Sequence, residues 1–368
     1  MAKGFTRTLL AGAALVALTS CSSAMPLPPQ AGYGPNPQLP PPQSSLIPTV
    51  NIAPARAWPA GRVPVAQRGF AVAAFARDLT HPRWLYTLPN GDVLVAETNA
   101  PDKPVQGIKG WIMKMVIDRA GAGVPSPNRI TLLRDTNGDG VAETRTVFLQ
   151  GLFSPFGMAN EVDRASGTKR LFASGLRNPN GMDWEPQTGV LWTVVNERDE
   201  IGDDLVPDYM TSVRDGGFYG WPYSYYGRIV DDRIKPQRPD VVARALVPDY
   251  ALGSHTGTLG LAFYNGTALP NRYRGGAFIG QHGSWNRSVP NGYKVIFVPF
   301  TNGRPSGPPE DVLTGYLDAS QNAQGRPVGV AIDKAGAMLI ADDVGNAIWR
   351  VTATPQAMAS GNEQERQP

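Results

Sequence analysis

A short unit recurs along this chain and restricts its fold more than any other feature. Residues 79–98 read LTHPRWLYTLPNGDVLVAET: a Pro-containing turn, an apolar stretch, a Gly turn and an alternating strand. The pattern returns at 175–197 (GLRNPNGMDWEPQTGVLWTVVNE) and 325–343 (GRPVGVAIDKAGAMLIADD), and more weakly at 257–283. Apolar alternation at period two around Asn-Gly, Thr-Gly or Ala-Gly turns is the signal for antiparallel hairpins. Copies of such hairpins along one chain predict an all-β fold, a β-propeller. A β-sandwich is the alternative, but it has no need to repeat one unit.

The repeat is broken once. GLFSPFGMA (151–159) opens a further unit, yet Asn160 leads directly into EVDRASGTKRLFASGL, which reads as the end of a unit. Roughly one blade is therefore expected to be absent between Ala159 and Glu161, leaving a ring that is incomplete or five-bladed.

The polar groups concentrate in residues 174–222, between short apolar runs. An Arg-Asn pair, an acidic loop and an aromatic-glycine turn on the loops of a rigid sheet suit a bound anion beside a hard metal ion. Ordinary β-turns with solvated charges are the competing reading. DTNGDGVAE (135–143) places Asp135, Asn137 and Asp139 like a calcium loop. Its twelfth position is Thr146 where an EF-hand needs Glu, and strands flank it, so it reads as a hairpin turn.

With a net charge of +3 and no Lys/Arg-rich patch, the chain has no signature of nucleic-acid binding. Its single cysteine, Cys21, excludes disulfides within the chain. Lys3 and Arg7 precede the apolar run Leu9–Leu18, too short to span a bilayer, and Leu18-Thr19-Ser20-Cys21 resembles a bacterial lipobox. Residues 1–21 are thus expected to be a lipoprotein signal with Cys21 lipidated. A plain secretory signal is the alternative. Residues 22–62, rich in Pro, Gly, Ser and Gln, are expected to be a disordered tether, 63–352 the propeller, and 353–368 a disordered tail. The expected location is periplasmic, with membrane contact through the lipid anchor only.

Seven segments carry a family resemblance: LPNGDVLVAET, SGLRNPNGMDW, NERDEIGDD, GGFYGWP, IGQHGSWNR, GYKVIFVPF and GRPVGVAIDKAGAMLIADD. In this order they resemble the soluble pyrroloquinoline quinone (PQQ)-dependent sugar dehydrogenases, especially the sorbosone dehydrogenase branch. The resemblance implies a six-bladed propeller carrying PQQ and calcium, and oxidation of a sugar or sugar aldehyde by hydride transfer to the quinone. It assigns cofactor contact to Arg177, Asn178 and Asn180, and planar Arg forks suit the carboxylates of PQQ. Asn286 or Arg287 stands where the family has a cofactor-binding lysine. Arg326 matches the first of two family arginines, while Val328 holds the second position. Backbone carbonyls at Glu197 and Arg198 are implied as ligands of the cofactor's calcium. Asp203, Asp204 and Tyr219 are implied as a second, structural calcium site.

The family's proton-accepting histidine, in an Asn-His context, falls in the missing stretch. This chain has only His81, His255 and His282, none in that context, and no catalytic base is assigned. The implied partners are a small sugar or sugar aldehyde and a respiratory electron acceptor. A propeller that binds PQQ or carbohydrate without turnover is the alternative function. A lactonase-type propeller is a remote third, since only one acidic loop is present.

Overall fold

The computed structural model describes residues 27–43, 49–101, 107–153 and 170–358. Four antiparallel sheets of four or five strands dominate it. The first runs β2 (Pro82–Thr87), β3 (Val93–Glu97), β4 (Arg129–Arg134) and β5 (Thr144–Leu149), with the helix α1 (Gly107–Arg119) between β3 and β4. The second comprises β6 (Pro179–Trp184), β7 (Leu191–Val195), β8 (Pro207–Ser212) and β9 (Tyr250–Ser254). The third comprises β10 (Thr258–Phe263), β11 (Ala277–Gln281), β12 (Lys294–Val298) and β13 (Glu310–Thr314). The fourth joins β14 (Pro327–Ile332), β15 (Met338–Asp342) and β16 (Ala347–Ala353) to β1 (Phe70–Ala76), so the two ends of the propeller share one sheet.

Each sheet is a blade, and the inner strands pack in the succession β6, β10, β14, β2. Glycine makes that approach possible. A Cβ on Gly181 would meet the backbone of Leu259 and Leu261, one on Gly260 that of Val328, and one on Gly329 that of Arg83 and Trp84. Trp84 stands in β2 where β6 and β14 carry Gly181 and Gly329, so the far side of β2 lacks this close-approach device.

Three apolar clusters each bridge two consecutive blades. Trp192, Val194 and Met210 meet Leu261, Ile279 and Ile296 between the second and third. Tyr273, Phe278 and Phe297 meet Ile340 and Trp349 between the third and fourth. Val93, Val95 and Leu133 meet Val328 and Leu339 between the fourth and first. Among the described residues no such cluster joins the first blade to the second, and Phe148 of the first and Trp184 of the second are 52% and 61% exposed. The junction at Ala159–Glu161 and the lipidation site Cys21 both lie outside the described residues.

The expectation of a disordered tether over 22–62 is corrected by its described part. Tyr33–Gly34 add an edge strand to β9. Ala55 and Arg56 donate backbone hydrogen bonds to Arg119 and Ala323, and Ala53 is buried in the core. Backbone polar groups and two or three anchoring side chains hold this Pro-rich strap, so it needs no core of its own. The tail is likewise not wholly free, since Thr354–Met358 form a helical turn after β16.

Candidate functional site

The start of each inner strand pairs with the end of the next strand: Pro82 with Glu97, Pro179 with Val195, Thr258 with Gln281, Pro327 with Asp342. The loops before the inner strands and after the second strands therefore share one end of the propeller. Most of the residues singled out in the sequence lie on that end.

Arg177, just before β6, is held by the loop that follows β7. Its guanidinium donates to the carbonyls of Asn196 (3.2 Å) and Glu197 and pairs with Asp199 at 3.0 Å. Asn178 is exposed, and its carbonyl accepts from the Asn180 amide (2.9 Å) and the Asn196 N–H. Asp199 also meets His255 Nδ1 at 3.2 Å, while His255 Nε2 faces the Gly202 carbonyl at 2.9 Å. Burial opposes protonation of His255, but these two acceptors outweigh it and raise its pKa above the ordinary value.

Glu197 contributes more than a carbonyl. Its buried carboxyl accepts from the Arg198 and Tyr226 N–H groups, and burial pushes its pKa up to about 7. Arg198 is spent on Asp231 (2.7 Å) and stacks over Tyr225. Asn196 Oδ1 is buried without a partner among the described residues.

Asn286 and Arg287 serve the acidic loop. The Asn286 amide accepts from Glu200 N–H (2.6 Å) and donates to the Thr49 carbonyl (2.6 Å), so neither end is free. Arg287 donates to the Asp203 carbonyl and pairs with Asp204 at 3.0 Å. Asp203 accepts from Ser288, and Asp204 from the Leu27 N–H. Tyr219 is tied elsewhere: its hydroxyl donates to Ser212 and accepts from Arg214. The structure thus gives the implied Asp203–Asp204–Tyr219 set no shared ligand geometry. Among the described residues, carboxylates converge as a metal-sized cluster at Asp135, Asp139 and Glu143, each already holding N–H donors of its own hairpin turn.

Arg326 is buried over the Tyr293 ring at 4.8 Å and donates to the Ala53 carbonyl at 3.0 Å. Its Nε has no partner, and no carboxylate among the described residues pairs with it. Beside it stands a cluster that the sequence does not reveal. Asp343, buried, faces His282 Nε2 at 2.9 Å, Arg83 Nη1 at 2.5 Å and His81 Nε2 at 3.5 Å. Burial pulls Asp343 upward, but His282, His81 and Arg83 around it hold it well below the usual carboxylate range. Burial pushes His282 down to about 4. The only hint in sequence is the doubled Asp342-Asp343 at a strand end, which does not say what faces it.

With this geometry in hand, similarity to known proteins can be placed on it. Residues 157–284 match the Glucose / Sorbosone dehydrogenase family. Residues 240–354 match a second family described as TrAA12-like. The resemblance read from the motifs therefore holds over the segments that carry Arg177, the acidic loop and His282, while Arg326 lies in the second match. An "Uncharacterized protein" of Borreliella burgdorferi is 31% identical over 185 residues, 50% of this chain and 48% of that one. The "Aldose sugar dehydrogenase YliI" of Escherichia coli is 28% identical over 123 residues, 33% of this chain and 31% of that one. The matched regions thus span half or less of these curated relatives.

Solved structures agree on the fold. A calcium structure of a Trichoderma reesei carbohydrate-active enzyme of family AA12 superposes with TM-score 0.53 at 18% identity, covering 83% of this chain and 99% of that one. The holo form of a pyranose dehydrogenase PQQ domain from Coprinopsis cinerea gives 0.54 at 17%, covering 82% and 100%.

Proposed function

We propose that this chain binds PQQ beside calcium on its loop face and oxidises a sugar or sugar aldehyde. The observation that carries the reading is Arg326, a buried guanidinium with an open Nε and no carboxylate partner among the described residues. An uncompensated buried charge is costly, and an anionic ligand supplies the missing counter-charge. PQQ, a planar polycarboxylate, fits a guanidinium fork, and Arg177 on the same face offers a second. When bound, PQQ supplies a two-electron acceptor for hydride.

Calcium takes oxygen ligands, and the oxygens around Arg177 suit it: the free Asn196 Oδ1, the Asn196 and Glu197 carbonyls, and the Asp199 carboxylate. Arg177 now occupies the two carbonyls, so a cation bound through Glu197 competes with it. Asn286 and Arg287 act here by holding the acidic loop in place instead of reaching the cofactor.

The export signal and Cys21 support a periplasmic, lipid-anchored protein that passes electrons to a respiratory acceptor. The six positions from Cys21 to Leu27 reach at most about 20 Å. Because Leu27 docks on Asp204, the anchor holds the loop face toward the bilayer.

The test is reconstitution of the full chain with PQQ and calcium. Expected are saturable quenching of tryptophan fluorescence and dye reduction with at least one aldose or sorbosone. Quenching without dye reduction on any sugar would leave a binder and overturn the enzyme reading; no quenching would overturn both.

A further inference from the structure

We propose that His282, oriented by Asp343, is the proton acceptor of the reaction, a role that rests on the dehydrogenase reading above. An ionised carboxylate only accepts, so an imidazole nitrogen 2.9 and 3.1 Å from the Asp343 oxygens must carry a hydrogen. In the neutral ring that nitrogen is Nε2, and Nδ1 is left with its lone pair. Nδ1 has no hydrogen-bond partner among the described residues, and the side chain is 22% exposed on the loop face. A histidine fixed by a buried carboxylate with its other nitrogen open is the arrangement general-base chemistry requires.

Among the described residues, the other two histidines and the buried carboxyls of Glu197 and Asp208 fail on geometry. His255 points both nitrogens at acceptors, Asp199 and the Gly202 carbonyl, and so has no lone pair to offer. His81 is 3% exposed and cannot meet a substrate. The carboxyls of Glu197 and Asp208 are buried and filled by N–H and hydroxyl donors.

The groups facing His282 also favour the neutral ring. Asp343 alone attracts a proton to it, while burial and the guanidiniums of Arg326 and Arg83 oppose one. His81, across Asp343, shares that carboxylate. The imidazole is therefore unprotonated and ready at neutral pH. The step balances: the sugar C–H leaves with its electron pair to the quinone and the hydroxyl O–H gives its proton to His282 Nδ1. A C=O bond forms, the sugar is oxidised, and PQQ is reduced by two electrons.

His282→Gln in the reconstituted full chain tests the assignment. Turnover should fall about 10²-fold or more, while PQQ affinity from fluorescence quenching stays within about threefold. Independently of turnover, ¹⁵N-histidine NMR of the cofactor-free protein at pH 7 should show His282 as the Nε2–H tautomer. Retained turnover in His282→Gln, or a proton on Nδ1 at pH 7, overturns the inference while leaving the dehydrogenase reading standing. An unaltered protein that binds PQQ but oxidises no sugar overturns both.

Discussion

The indole Nε1 of Trp58 donates to Asp342 Oδ2 at 2.7 Å, fastening the N-terminal strap to the last strand end before the Asp343 cluster. The same oxygen accepts Trp349 Nε1 at 2.9 Å, and the other takes the N–H groups of Arg326 and Gly345. Asp342 therefore fixes the strap, β16 and the backbone of Arg326 at one point. Burial pushes its pKa up to about 6 despite these donors. Trp58→Phe removes one donor to a buried carboxylate and should cost about 1–3 kcal/mol. The expected result is a lower unfolding midpoint together with faster proteolytic cleavage within residues 49–58. Unchanged cleavage would mean that the backbone contacts of Thr49, Ala53, Ala55 and Arg56 hold the strap without Trp58.

The blades were legible because period-two alternation and Gly turns are local, and local signals survive in sequence. That Arg177, the acidic loop and Arg326 belong to one site came from the family resemblance, and the strand pairings put their loops at one end. The strap was not legible. Its Pro-rich composition reads as a tether, and it is held by backbone carbonyls of Thr49 and Ala53 reaching Asn286 and Arg326, partners more than two hundred positions away. The His282–Asp343 contact was hidden for the same reason: sixty-one positions separate the two residues, and only blade packing brings them together. Asn286 and Arg287 show the same limit: the resemblance puts them at the family's lysine position, while contacts with the acidic loop and with Thr49 show only in the fold.

The glycine at the third blade interface offers a packing test. A Cβ on Gly260 would run into the Val328 carbonyl and crowd Val330, both on a neighbouring inner strand that cannot retreat. Gly260→Ala should destabilise by about 3 kcal/mol, the upper range for overpacking a core. Gly32→Ala is the control, since its Cβ would meet nothing nearer than 3.7 Å. Denaturant midpoints of the two variants should differ clearly, and equal midpoints would show that the blades can slide apart.

Metal removal separates the two calcium sites that the resemblance implies. Asp203 and Asp204 already hold Ser288, Leu27 and Arg287, so the acidic loop is closed by protein groups alone. Chelation should therefore leave the melting temperature of the cofactor-free chain unchanged while weakening PQQ binding. Arg177→Gln should lower PQQ affinity at least about tenfold, the loss of one charge-assisted fork. A large fall in melting temperature on chelation would instead place a structural metal in the loop.

The His282 imidazole makes a prediction that needs no cofactor. Its folded pKa, about 4, lies below the ordinary value of 6.5. As pH falls through 6.5 the unfolded chain takes up this proton, while the native ring resists until about 4. Native stability should therefore decline across that window by up to about 3 kcal/mol, given 1.36 kcal/mol for each unit of displacement. Above pH 6.5 the ring is neutral in both states and the loss is absent. Asp343, held far below the carboxylate range by the same cluster, adds its own decline only below the His282 window. His282→Gln has no proton to gain, so its stability between pH 6.5 and 4 should fall less steeply than that of the unaltered protein. Urea midpoints measured at half-unit pH intervals on both proteins give the comparison. Parallel curves would show that the ring is not held neutral against Asp343, and would remove the open lone pair on which its role as proton acceptor depends.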